Sequence, residues 1–184
     1  MNTASTETIT LAGGCFWCLE AVYRLVDGVT AVESGYSNGH APAPSYEQVC
    51  SGRTGHAEVV RVSFDPGRVP LRELLEIFFV VHDPTTLNRQ GADIGTQYRS
   101  GIYWSTPLQE AVAREVLAEL AASGVHRQTI VTEVAPLTNY HRAEDYHQRY
   151  FENHPAQGYC AMVVAPKVEK FRRTFARRLR AAPV

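Results

Sequence analysis

Apolar positions change their spacing several times along the chain, and each change marks an element. Ile9 and Leu11 alternate with polar residues, as in a short strand that Gly13-Gly14 interrupts. From Cys15 onward Leu19, Val22, Tyr23 and Val26 recur at helical intervals, so a helix begins near the cysteine. "GVTAVESGYSNG" reads as a strand ending in a turn, and "GHAEVVRVSFDP" alternates until Asp65-Pro66-Gly67 closes it. "VPLRELLEIFFVVHDP" carries a helical stripe of Leu71, Leu74, Leu75, Phe78 and Phe79, with Pro70 suited to the first turn. Asp83 to Tyr98 follows neither period. "RSGIYWS" is a strand, and Thr106, Pro107 and Gln109 open a helix that runs to about Ser123-Gly124. "TIVTEVAPL" is a further strand and "RAEDYHQRYFENHP" reads as helical. In "KVEKFRRTFARRLR", Val168, Phe171, Phe175 and Leu179 share one helix face and the other face is basic.

Interleaved helices and alternating strands predict an α+β fold. The expected form is a two-layer sandwich, with a mixed or antiparallel sheet and helices packed against it. The 184 residues suffice for one core, so a single catalytic domain is expected over 1–184. Its core would span about 8–160, with the amphipathic C-terminal helix at about 167–180. A net charge of -1 gives no general attraction to nucleic acid or to an anionic membrane surface. No apolar run approaches a membrane span, and "MNTASTETIT" lacks the apolar core of a secretory signal. The expectation is a cytoplasmic protein whose four cysteines are free, catalytic or metal-binding rather than a disulfide scaffold.

The chemistry concentrates in "GGCFWC". Cys15 falls where a helix start offers unpaired N–H groups, which favour thiolate, the nucleophilic form. The plainer reading is a buried structural cysteine. Phe16 and Trp17 precede the regular stripe and suit an apolar pocket for a small group such as a methyl; otherwise they are core aromatics. Glu58 shares its strand face with Val60, Val62 and Phe64. On an apolar face it must be paired or protonated, which makes it a candidate general acid; at the strand end it could instead reach solvent. Tyr46, Asp93 and Tyr98 lie in polar, turn-rich stretches that pattern alone does not single out. Zinc on Cys15, Cys18, Cys50 and one histidine is a further possibility, without the second paired motif that strong zinc signatures carry.

"GGCFWC", "GYSNG", "SYEQVCSGRTGHAEVVRVSFDP", "HDPTTLNRQGADIGTQYRSGIY", "AEDYHQRY" and "GYC" occur in that order between Gly13 and Cys160. Together they resemble the signature segments of the A-type peptide methionine sulfoxide reductases. The resemblance implies reduction of the S epimer of methionine sulfoxide, free or in oxidised proteins, on a fold with a ferredoxin-like core. It implies Cys15 as nucleophile, Glu58 as proton donor, Phe16 and Trp17 around the substrate methyl, and Tyr46 and Tyr98 on the sulfoxide oxygen, with Asp93 also in the substrate site. It implies an external dithiol reductant such as thioredoxin and no bound cofactor; a monomer with no nucleic-acid or membrane partner is expected. The thiol that resolves the oxidised Cys15 is Cys160 of "GYC" in the favoured reading. Cys18, where many relatives have glycine, is the alternative or the second thiol of a relay. Cys50 is expected to be a structural core cysteine, and His141 stands where relatives often carry an aromatic residue. Two other classes remain: a general thiol–disulfide oxidoreductase using Cys15 and Cys18, and a metal-binding or interaction module.

Overall fold

The computed structural model describes residues 5–181. The polar start, 1–4, and the last three residues lie outside it. The chain begins with a β1(Glu7–Gly13) – α1(Phe16–Tyr23) – β2(Val29–Ser37) unit, followed by the short α2(Tyr46–Cys50). Strand β3(Ala57–Phe64) and helix α3(Leu71–Val81) come next, then the small hairpin β4(Arg89–Gln90) and β5(Asp93–Ile94). After β6(Ser100–Trp104) come α4(Pro107–Ser123), β7(Glu133–Pro136), β8(His141–Arg142), α5(Tyr150–Asn153) and α6(Ala165–Thr174).

Six strands form one sheet in the order β7-β6-β1-β3-β2-β8. Its centre, β6-β1-β3-β2, is antiparallel throughout. With α1 and α3 as the crossovers it has the ferredoxin-like βαββαβ arrangement. The β6–β7 pair is parallel, so the sheet is mixed. Ile9, Leu11, Val60, Val62 and Phe64 point to the helical face, where Leu19, Val22, Leu74, Phe78 and Phe171 bury against them. Ala12, Ala57, Val59 and Tyr103 make a smaller cluster on the opposite face. Fully buried Phe78 carries much of the α3 contact, and its truncation to alanine costs about 3–5 kcal/mol.

Most expected elements are present, and two differ. "RAEDYHQRYFENHP" is not one helix. It makes a sheet-edge bridge at His141–Arg142, a 3-10 turn at Asp145–His147 and the four-residue α5. Its bonding goes elsewhere: the Gln148 amide exchanges hydrogen bonds with the Ser34 backbone at 2.9 Å, stitching the segment to β2. The C-terminal helix ends at Thr174 rather than near 180, because Leu179 bridges back to Val26 and the backbone of Arg178 and Arg180 bonds to Asp27 and Leu25. Helix α4 runs to its left-handed Gly124 cap, as its sequence predicts.

Candidate active site

Strand β1 delivers the chain to Gly14, whose φ of 87° turns it sharply into α1. A Cβ there would stand 2.6 Å from Cγ of Gln90, so only glycine lets the 83–98 segment close over this turn. Gln90 is itself clamped, accepting from Asp83 N–H and donating to Asp83 C=O, both at 3.0 Å. Cys15 is the residue at the N-cap of α1 and is 8% exposed. The residue therefore lies almost wholly below the surface.

Glu58 settles on the buried side, 2% exposed, opposite Tyr36 on β2. Its Oε2 accepts the Phe16 N–H at 3.0 Å. The carboxyl thus occupies the first free amide of the helix that carries Cys15. Burial pushes Glu58 up to about 8, against the pull of that amide, with the charges of Asp93 and Cys18 adding to the rise. At neutral pH it holds a proton.

The helix start does not lower the Cys15 thiol. Burial raises it well above the ordinary cysteine value, and the hydrogen bond to Cys18 and the Glu58 charge add to that; only the Trp17 backbone opposes. Burial is the main cause, since a thiolate there would stand in the core, and the Phe16 amide that would offset it is taken by Glu58. Cys18 moves the other way, to about 7, chiefly because it accepts the hydrogen bond from Cys15. The two sulfurs share a proton within one helical turn, and the first charge of the pair forms near neutral pH.

Aromatic side chains surround this centre. Phe16 is buried against Tyr36 and His147, at centroid distances of 5.7 and 5.0 Å. Trp17 stacks flat on Tyr150 at 3.7 Å and meets the Tyr159 edge at 5.8 Å. Its indole N–H donates to Nδ1 of His147 at 3.1 Å. Burial holds His147 neutral, so that acceptor nitrogen places its proton on Nε2, which has Glu144 at 3.7 Å. Tyr46, at the start of α2, packs 4.4 Å from the His147 ring. Tyr98 closes a 3-10 turn and feels the charges of Glu58, Cys50, Asp93 and Cys15. Burial and then the neighbouring acidic groups push both tyrosines well up, so they remain O–H donors. Asp93 accepts from the Tyr159 hydroxyl at 2.6 Å.

The structure thus brings Cys15, Phe16, Trp17, Cys18, Tyr46, Glu58, Asp93 and Tyr98 around one recess. Cys160 is fully buried at the start of a π-turn leading into α6, and its charged neighbour is Cys18. Cys50 is not in the core: it is an exposed thiol at the end of α2, hydrogen-bonded to Tyr46. Val49, one residue earlier, takes the inward position on α2, which turns Cys50 outward. His141 sits at the sheet edge beside His56 and accepts from Ala43 N–H. All four cysteines are free thiols, and among the described residues no group of three or more His, Cys, Asp or Glu is placed to hold a metal. No described helix is long and apolar enough to cross a membrane. Sequence pattern missed Tyr36, Glu144, His147, Tyr150 and Tyr159. The only trace of the last three is the density of aromatic and histidine residues in "DYHQRYFENHPAQGYC".

A recessed cysteine sharing a helix start with a protonated carboxyl, a second thiol one turn on and a ring of hydroxyl donors define a thiol-dependent oxidoreductase of ferredoxin-like α+β type. The comparisons narrow this class. The peptide methionine sulfoxide reductase family model matches residues 7–179, and the chain belongs to that family. It is 56% identical to the peptide methionine sulfoxide reductase MsrA of Polynucleobacter asymbioticus, across 95% of this chain and 92% of that one. It is 52% identical to the MsrA of Deinococcus radiodurans, across 96% and 86%. Reduced Mxr1 from Saccharomyces cerevisiae superposes with a TM-score of 0.80 at 40% identity, covering 89% of this chain and 93% of Mxr1. A structure of Mxr1 in complex with Trx2 matches with a TM-score of 0.57 at 29% identity, covering 81% and 87%. The chain is a peptide-methionine (S)-S-oxide reductase: it returns methionine sulfoxide to methionine by thiol chemistry.

Proposed function

We propose that Cys15 attacks the sulfoxide sulfur while Glu58 protonates the sulfoxide oxygen. The observation that carries this assignment is the Glu58–Phe16 hydrogen bond, which ties the acid and the nucleophile to the same helix turn. Oε2 is held by the amide, so the carboxyl proton resides on the other oxygen and can be given to the substrate. A sulfoxide sulfur is a weak electrophile until its oxygen is hydrogen-bonded or protonated, and the hydroxyls of Tyr46 and Tyr98 are the donors for that task. The substrate methyl lies against Phe16 and Trp17, with Asp93 and its bonded Tyr159 beside Trp17.

The attack forms a bond between the Cys15 sulfur and the substrate sulfur. The Cys15 proton has an acceptor in Cys18, whose thiolate already takes its hydrogen bond. The protonated oxygen then passes from the substrate sulfur to the Cys15 sulfur as the substrate's S–O bond and the new S–S bond break, so methionine departs and Cys15 is left as sulfenic acid. A second thiol displaces that oxygen as water and leaves a disulfide. Cys160 is the favoured resolving thiol, by its position in "GYC". Its placement beside Cys18 supports the relay, in which Cys18 passes the disulfide on or forms it first. An external dithiol then reduces the disulfide by exchange. Thioredoxin is the reductant we propose, supported by the Mxr1–Trx2 complex of a similar fold. Oxidised proteins, peptides and free methionine sulfoxide are the substrates. We place this single-domain monomer in the cytoplasm, where cysteines stay reduced, and no bound cofactor or metal enters the scheme.

The test is one equivalent of a peptide S-sulfoxide without external thiol, followed by disulfide mapping by mass spectrometry. The expected products are one equivalent of methionine and a disulfide between two of Cys15, Cys18 and Cys160. Turnover with all three of these thiols still reduced would refute the scheme.

A further inference from the structure

Glu20 is a buried carboxylate that this chemistry does not use. It lies on α1, three residues beyond Trp17, and is 1% exposed. Its Oε1 accepts the Arg149 N–H at 2.7 Å, and the Tyr150 backbone also bonds to the carboxyl. Burial raises its pKa, and those two amides hold it back. Arg149 occupies the left-handed region, at φ 57° and ψ 34°, which an L side chain adopts at a cost. The four-residue α5 starts there and is too short to hold its own shape. Its first residue, Tyr150, supplies the ring that stacks on Trp17 within 4° of parallel.

A continuous path therefore runs from the Glu20 carboxylate through the Arg149 turn to the Tyr150 ring and onto Trp17. The other ties on α5 include the ion pairs of Glu152 with Arg24 and Arg149, partly exposed and worth little, and the packing of half-buried Phe151 on the core. The buried carboxylate is the stronger anchor, because leaving the two amides unpaired has a real desolvation cost.

We infer that Glu20 is a positioning residue for methyl recognition: by pinning the left-handed turn at Arg149 it keeps Tyr150 flat on Trp17 and holds the substrate pocket to the width of one methyl group. The inference rests on the assignment of Trp17 to the substrate methyl. Its signature is selectivity rather than rate. An apolar pocket separates ligands differing by one methylene by about ten- to 200-fold, so a peptide S-methionine sulfoxide should be preferred over its S-ethyl homologue.

The experiment measures kcat/KM for both sulfoxides with dithiothreitol as reductant. Glu20→Ala should lower the methyl-over-ethyl ratio about three- to tenfold, the range set by one aromatic stacking contact, and should do so through KM. Glu20→Gln keeps an acceptor oxygen and should restore the ratio to within about twofold of wild type. Adding Arg149→Gly to Glu20→Ala should recover most of the loss, since glycine takes the left-handed turn unaided. Arg149→Pro forbids that turn and removes the amide that Glu20 accepts, while leaving the Glu20 side chain in place; it should reproduce the loss, which decides the matter if Glu20→Ala does not fold. A wild type that reduces the methyl substrate while the ratio stays constant in Glu20→Ala or Arg149→Pro overturns this inference alone. A wild type inactive on the methyl substrate refutes the functional assignment beneath it.

Discussion

Two halves of the recess are built in different ways. Cys15, Cys18 and Glu58 stand on α1 and β3, regular elements fixed by the central sheet register and the buried core. Asp93, Tyr98, His147, Tyr150 and Tyr159 stand on segments with little regular structure, held by individual side-chain bonds such as Tyr159 to Asp93 and Trp17 to His147. The first half holds the groups that exchange bonds and protons. The second shapes what may approach them. Chemistry tolerates small placement errors poorly and belongs on rigid supports, whereas recognition can be assembled from loops around such a scaffold.

The sharpest way to break this division is to remove the nucleophile. Cys15→Ser should abolish reduction of a peptide sulfoxide, by at least about 10⁴-fold in kcat, the scale seen when a nucleophile is deleted. An unimpaired serine variant would end the assignment of the regular half.

Glu58→Gln comes next, with an expected loss of about 10²–10⁴ in kcat/KM, the usual worth of a placed general acid. Wild-type activity should decline as pH rises past about 8, where Glu58 gives up its proton, and the glutamine variant should lack that limb. Stability should move the opposite way. Folding raises the Glu58 pKa, so the unfolded chain gains from ionising it between about 4.5 and 8 and wild-type stability falls across that window. Thermal melts should show Glu58→Gln increasingly more stable than wild type from pH 5 to pH 8, with the gap closing at pH 4. A constant gap across that range would mean that Glu58 does not carry its proton in the folded protein.

The loop half should respond less. Tyr98→Phe removes one donor to the sulfoxide oxygen and should cost about 10²-fold in kcat/KM, the lower range for one such donor. Sulfenic acid should still form on Cys15 in a single turnover. A loss as large as that of Glu58→Gln would move Tyr98 from orienting the oxygen to proton transfer, and the division would fail.

The same contrast explains what could be read from the chain. Val60, Val62 and Phe64 alternate, so Glu58 announces itself as a carboxyl on an apolar face. Leu19, Val22 and Tyr23 set the helical period that places Cys15 at its start. No period runs through 83–98 or 144–160, where side chains bond to distant backbone; only motif resemblance marks Asp93 and Tyr98, and nothing in the sequence pattern marks His147 and Tyr150. The expected low pKa of Cys15 failed for a related reason. A helix start predicts free amides, but burial of Cys15 outweighs them, and Glu58 in β3, 42 positions from Phe16, holds the first of them. Cys50 was misplaced because five residues of α2 look alike whether they cover a core or face water.

The depth of the Cys15 sulfur also bears on the molecules it serves. A sulfoxide in a close-packed domain or along the flank of a long helix cannot bring its sulfur into a recess that leaves its nucleophile 8% exposed. The client must first loosen, locally or globally, until a few residues of chain can be drawn out. Repair of a folded client is then gated by that client's own opening free energy, so the lesions that have already weakened their host are the first to be mended.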